Sequence, residues 1–407
     1  DLQTCSCGAR LLAYPPFKNI VSMEGSCSNL SKWAIASLFL SLLWSCQPEQ
    51  KEEVQASAAE ELLAPEEASG KFPYRRLSTY GFFEGELASL APNESVIPYQ
   101  PASSLFTDYA HKLRTITIPE GHQVTLNSEG SLNFPIGSII SKTFYYRRAA
   151  QDGDRVSEAP HVEATLLDLR DVRLIETRLL VRRESGWVAL PYVWNEDQTE
   201  ARLTRAGASF ALRQVRDDGG EEPFTYMVPD SNQCAGCHAP NVKAGQLQPI
   251  GLKARHLPAE QLGGWSRAGI LQGMPLATDL PRAIDWTDES IDVGSRARAY
   301  LDINCSHCHN RSGPADTSGL VLDLSAEPDV AMGVCKPPVA AGQGTGNRRF
   351  GIVPGRPDES ILLYRMESTD PGAMMPELGR GLAHREGNAL VRRWISTLPG
   401  DCGVSAT

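Results

Sequence analysis

The sequence predicts a multi-domain chain with an N-terminal antiparallel β-sandwich or barrel-like domain followed by a mostly α-helical region. Two observations predict it. Between positions 72 and 224, short stretches alternate apolar and polar residues with period two and are separated by turn signals. Beyond position 287, the segments 288–303 and 388–398 carry apolar residues at helical spacing.

The chain has 407 residues, long enough for two or three domains with real cores. Its 49 acidic and 39 basic side chains give a formal net charge of −10. An acidic chain with scattered basic residues excludes nucleic acid as a partner, because phosphate binding needs a basic surface.

The organisation is read from the N-terminal end. Residues 1–22 read as sequence upstream of the mature protein. Met23 and Lys32 precede an apolar run, 33–45, of signal-peptide length and too short to span a bilayer comfortably. The run ends in Leu43-Trp44-Ser45-Cys46, which resembles a bacterial lipobox with Cys46 as the lipidated residue, although Trp44 is bulky for its position. Residues 23–45 are then a signal peptide. Residues 46–71, rich in Glu, Ala, Gln and Ser, read as a flexible tether. The expected location is the bacterial cell envelope, at the periplasmic face or outer membrane, held there by the lipid.

The β-rich domain is expected over 72–224. Strands are expected at 113–118, within 122–126 and 161–169, at 172–182 and at 187–194, with turns at Pro119-Glu120-Gly121, Asp152-Gly153 and Ser185-Gly186. His111, His122 and His161 are isolated and read as structural or surface residues. Tyr145, Tyr146, Trp187 and Trp194 read as core.

Ten cysteines divide by position. Cys234-Ala235-Gly236-Cys237-His238 and Cys305-Ser306-His307-Cys308-His309 are two CxxCH motifs. In such a motif two thiols at fixed spacing attack the two vinyl groups of one haem, and the adjacent histidine ligates its iron. A structural zinc site is the competing reading of paired CxxC units. The immediate histidine in both motifs, behind an export signal, favours two covalently bound haem c groups. The two regions are 225–286 for the first and 287–407 for the second, the latter a cytochrome c domain. A helix over 288–303 leads into Cys305, and a second over 388–398 groups Leu390, Val391, Trp394, Ile395 and Leu398 on one face.

Met375, directly before Pro376, is the expected sixth ligand of the second haem, with Met374 as the fallback. For the first haem the candidates are Met274, before Pro275, then His256, then Met227; a five-coordinate iron is the remaining option. Cys335 and Cys402 are left without a haem or lipid role, which suits one disulfide in an oxidising compartment.

Several segments occur together: Tyr80-Gly81-Phe82-Phe83, LFTDYAHKLRTITIPEG at 105–121, FPIGSIISKTF at 134–144, NQCAGCH, NCSHCHN, VPGRPDESIL at 353–362 and MMPELGR at 374–380. Over roughly 77–400 the chain resembles a family of bacterial di-haem c-type cytochromes, formerly conserved hypothetical proteins, often encoded beside a parallel β-helix protein. The MMP element also resembles the distal loop of a class I-like cytochrome c domain. The resemblance implies an exported redox protein with redox partner proteins, a neighbouring β-helix protein being one option. The expected function is electron transfer without catalysis. The alternative is a di-haem oxidoreductase, peroxidase-like or a dehydrogenase subunit, with an open coordination site at the first haem.

Overall fold

The computed structural model describes residues 72–127, 130–149, 153–158, 172–274, 283–339 and 341–403. The signal peptide, Cys46, the tether, His161 and the strand expected at 161–169 lie outside the described residues.

A nine-stranded sheet curls into a half-barrel. Its strands are β3 (Val96–Pro98), β4 (His111–Thr117), β7 (Ile139–Arg148), β8 (Arg155–Ser157), β9 (Val172–Arg183), β10 (Gly186–Trp194), β11 (Ala201–Leu203), β12 (Ala208–Val215) and β13 (Glu221–Val228). The two longest, β7 and β9, are rich in β-branched and aromatic residues and pair antiparallel at the centre. β7 pairs with β4 along its first half and with β8 at its end, so the sheet forks there. A register irregularity falls between Phe144 and Tyr145. Two smaller sheets stand beside it. One is β1 (Phe83–Glu84) with β2 (Ala91–Pro92); the other joins β5 (Val124–Leu126), β6 (Leu132–Asn133) and β14 (Leu271–Gln272).

Both faces of the central strands are covered. On one face Leu179, Val181, Leu190 and Tyr192 pack against Leu77, Phe82, Leu90 and Val96 of the preceding segment. On the other, Ile116, Ile140 and Leu180 share a core with Leu252, Leu257, Leu262 and Trp265. The last two lie on helix α2 (Ala259–Arg267), and β14 then pairs with β5. The first CxxCH region is thereby docked on the sheet.

The expected fold class is corrected in two respects. The described chain is mostly sheet, and the region after 225 is not mostly α-helical. Among the described residues it holds five short α-helices: α1 (Gln233–His238), α2, α3 (Val293–Cys305), α4 (Ile361–Glu367) and α5 (Arg385–Thr397). The reason is composition: Gly313, Pro314, Gly319, Pro328, Gly333, Pro337 and Pro338 interrupt any helix between α3 and α4. The β-region is also not a sandwich. No second large sheet closes on the first among the described residues; loop and helix cover it, and β8–β12 and β5–β14 pair parallel.

The two longest helices behave as amphipathic elements should. Asp292 caps α3, its carboxylate accepting from Ser295 N–H at 2.9 Å. The helix therefore starts after Asp288 and Glu289, which lie in the preceding turn. α3 and α5 bury Ala297, Tyr300, Leu301, Leu390, Val391, Trp394 and Ile395 in one cluster. Cys335 and Cys402 are joined by a disulfide, with Cα atoms 5.1 Å apart. It ties the loop after the second motif to the end of the chain.

Candidate functional site

The first motif is itself helix α1, entered five residues after strand β13 ends. Asp230 holds the entry, accepting from the N–H groups of Asn232 and Gln233. The second motif grows out of α3, whose last residue is Cys305. Ser306 N–H and His309 N–H continue the turn onto the carbonyls of Asp302 and Cys305.

Both motif histidines are held in the same way. His238 Nδ1 lies 2.8 Å from the Gln248 carbonyl, and Gln248 N–H donates back to the His238 carbonyl at 2.6 Å. His309 Nδ1 lies 3.1 Å from Ser318 Oγ, and Leu322 N–H donates to the His309 carbonyl at 3.0 Å. An Nδ1 engaged this way fixes the tautomer and leaves Nε2 as the free lone pair. Burial pushes His238 down to about 3, with Lys142 adding to the effect. Burial, then His307, pushes His309 down to about 4. Both imidazoles are therefore neutral at ordinary pH, the form that ligates a metal.

The motifs touch. Cys308 Sγ sits 3.4 Å from the Gly236 carbonyl, and Val242 N–H donates to the Ser312 carbonyl at 3.0 Å. Ligand atoms of Cys237, His307 and Cys308 all lie within 4.8 Å of one another. The Cys308 thiol donates toward Cys237, which lowers Cys237 to about 4 and raises Cys308. Burial raises Cys234 and takes Cys305 up to about 12. None of these four cysteines is in a disulfide.

A cleft with a cavity volume of about 40 Å³, partly open to solvent, lies between the first motif and the sheet. Cys234 and His238 form one side; Ile140, Lys142, Arg178 and Leu180 form the other. Burial and the flanking guanidiniums of Arg114 and Arg178 push Lys142 down to about 7.

The expected distal residues fall in different places. Met375 lies in a loop fixed at both sides: its N–H donates to the Arg365 carbonyl at 2.9 Å, and its carbonyl accepts from Arg380 Nε at 3.0 Å. Arg365 also bears on His309, and Glu377 on Cys308, so this loop neighbours the second motif. Leu378 reaches the first motif, 3.8 Å from the Cβ that Gly236 lacks. Met374 stands beside it, half-buried. Met274 packs on the core shared by β4, β7 and α2. His256 is buried, its Nε2 2.6 Å from Asp302 Oδ2, and its Nδ1 has no partner. Neither residue is among those lining the cleft. Met227 is 52% exposed on β13. His122 Nδ1 meets its own turn at Glu120, and the His111 ring lies 5.5 Å from Tyr145.

Two chemistries fit these donors, and they differ in what they leave over. A zinc-like ion would take Cys237, His307 and Cys308, three ligands of suitable type. That choice uses one cysteine of each pair and neither anchored histidine. Haem c uses Cys234, Cys237 and His238, then Cys305, Cys308 and His309. It accounts for both Nδ1 anchors. The residues fit haem better.

Residues not singled out by sequence also shape the site: Lys142, Arg178, Glu176, Asp302, Asp108, Arg380 and the buried His384, which stacks on Phe106 at 4.2 Å. Lys142 and Arg178 carry a signal that could have found them. They stand two residues from Ile140 and Leu180, at positions where the alternation calls for apolar side chains.

No family model, curated protein or solved structure matches this chain. No helix among the described residues is long and apolar enough to cross a membrane.

Proposed function

We propose that the protein is a di-haem c-type cytochrome that transfers electrons in the bacterial cell envelope. The observation that carries the reading is the pair of CxxCH motifs in direct contact, each with its histidine held through Nδ1. Each haem, when bound, supplies an iron that alternates between ferrous and ferric states. Cys234 and Cys237 would hold the first through thioether bonds, and Cys305 and Cys308 the second. His238 and His309 would present Nε2 to the irons, oriented by Gln248 and Ser318. Met375 is the favoured distal ligand for the second site, because Arg365 and Arg380 fix its backbone beside the second motif. Contact between the motifs favours exchange between the two sites, since electron transfer weakens steeply with distance. Lipidation at Cys46 would tether the protein near its redox partner proteins, a β-helix neighbour among the options.

The second reading, an oxidoreductase with an open first site, draws support from the cleft, whose lining includes neither Met274 nor His256. Carbon monoxide added to the reduced protein separates the two. A carrier leaves both haem spectra unchanged; an altered Soret band at one haem favours the oxidoreductase. The anchor is tested by Cys46→Ala, which is expected to move the protein from the membrane fraction to the soluble one.

A further inference from the structure

The sheet face that meets the first motif has an unusual composition, rung by rung. Ile116, Ile140 and Leu180 lie side by side across β4, β7 and β9, and all three are buried. Two residues along, the same strands align Arg114, Lys142 and Arg178. Two further along they align Lys112, Phe144 and Glu176. Like charges opposite one another on paired strands are destabilising, and desolvation makes them more so. These three rungs hold four basic residues and one acid.

That acid is already engaged. Glu176 is 0% exposed and accepts from Arg178 Nε at 2.8 Å, Arg178 Nη2 at 2.6 Å and the Tyr226 hydroxyl at 2.7 Å. Arg114 Nη1 donates to Gln100 Oε1 at 3.2 Å. Lys112 Nζ donates to the Ala110 carbonyl at 2.9 Å. The Lys142 ammonium makes no hydrogen bond or ion pair with any described residue, yet Lys142 lines the cleft beside Arg178, Cys234 and His238. A lysine at the wall of a half-enclosed cleft, flanked by two guanidiniums, is the feature of a site that receives negative charge.

We propose that the Arg114–Lys142–Arg178 rung is the carboxylate-binding wall of the first haem site, with Lys142 and Arg178 receiving the haem's propionates. The inference rests on the haem reading of the CxxCH motifs and deepens it. Haem carries two carboxylates on one edge and is otherwise apolar. The cleft offers a cationic rung beside an apolar one, which matches that division. Lys142 and Arg178 are positioning residues here: they seat the group and set the field at its iron, and they do not exchange electrons.

The test uses the full-length protein matured with haem, and the variants Lys142→Met and Lys142→Arg. Haem content is counted first by pyridine haemochrome absorbance, then each haem's midpoint potential is measured by spectroelectrochemistry. Loss of the cation leaves a buried carboxylate uncompensated, which favours ferric iron. Lys142→Met is therefore expected to lower the first haem's potential and leave the second unchanged, and Lys142→Arg to restore it. Two bound haems with both potentials unchanged in Lys142→Met would overturn the proposal while leaving the haem reading intact. Absence of covalent haem in the unmodified protein would instead overturn the haem reading. A first-haem potential in the unmodified protein that tracks added acetate, with that response lost in Lys142→Met, would assign the rung to a solution carboxylate and overturn the propionate assignment.

Discussion

Asp108 fastens the methionine loop to the sheet domain through one carboxylate. Its Oδ1 accepts from Gly381 N–H and Leu382 N–H, each at 2.8 Å, and the side chain is 2% exposed. Next to it Arg380 binds the carbonyls of Met375, Leu382, Arg365 and Ser368, so the loop is held from both sides. Burial outweighs the backbone bonds and raises Asp108 to about 6. In an unfolded chain an aspartate titrates at about 4. Between these values the folded protein binds more protons than the unfolded one, so stability falls as pH rises from about 4 to about 6. Two pKa units correspond to about 3 kcal/mol as an upper order of magnitude. Asp302 acts in a different window. Burial would raise it, but bonds from Arg255 and His256 hold it well below the usual range, so its contribution is lost only as pH falls below about 4. The prediction is that Asp108→Asn loses the fall between pH 4 and 6. Asn also tolerates the left-handed backbone at this position, φ 46°. Denaturant midpoints of both proteins across that range check it; parallel curves would count against the assigned role. Residues of this kind were hidden in the sequence. The CxxCH motifs and the two leftover cysteines were readable because spacing and count alone reveal them. Asp108 was not, because its partners lie some 270 positions away.

At the scale of elements, α3 and α5 cross by exchanging glycines for aromatic rings. A Cβ on Gly387 of α5 would lie 2.3 Å from Tyr300 Cζ of α3, and one on Gly294 of α3 would lie 3.7 Å from Trp394 Cδ1 of α5. Gly387→Ala is therefore expected to destabilise by about 1–3 kcal/mol, the usual cost of forcing a packed side chain aside. Gly264→Ala in α2 meets nothing within 4 Å and is expected to stabilise by about 0.5–1 kcal/mol through helix propensity. Thermal melts of the two variants should move in opposite directions; a destabilised Gly264→Ala or a neutral Gly387→Ala would break this account. The Cys335–Cys402 bridge closes a loop with a sequence separation of 67. Loop-closure entropy puts its contribution at about 4 kcal/mol. The double variant Cys335→Ser, Cys402→Ser should lose stability of that order in denaturant titrations and become insensitive to reductant. The existence of both helices was legible from their apolar spacing. Their starting points were less so: α3 begins after Asp292, whose capping bond outcompetes Asp288 as the start, and α5 begins at Arg385, ahead of its apolar run.

For the whole molecule, strands β4, β5, β9 and β10 could be anticipated from alternation and turn residues, while the architecture could not. Period two says which residues share a face, but not what covers that face. Here helix, loop and the first CxxCH motif cover it, and the long segment between α3 and α4 orders itself through turns. The same ambiguity concealed the cationic rung. Lys142 and Arg178 interrupt an apolar face, but what they serve is legible only once the cover is known, and the cover brings Cys234 and His238 to them.

The central claim is that both CxxCH motifs carry haem. Intact-mass measurement of the protein, expressed in a host with periplasmic haem c maturation and denatured to strip loosely held groups, tests it most directly. The account predicts a polypeptide heavier by two haems. Cys234→Ala, Cys237→Ala should then lose one haem, and Cys305→Ala, Cys308→Ala the other. A polypeptide without added mass that instead retains one zinc ion under native conditions would contradict the account and assign Cys237, His307 and Cys308 to the metal.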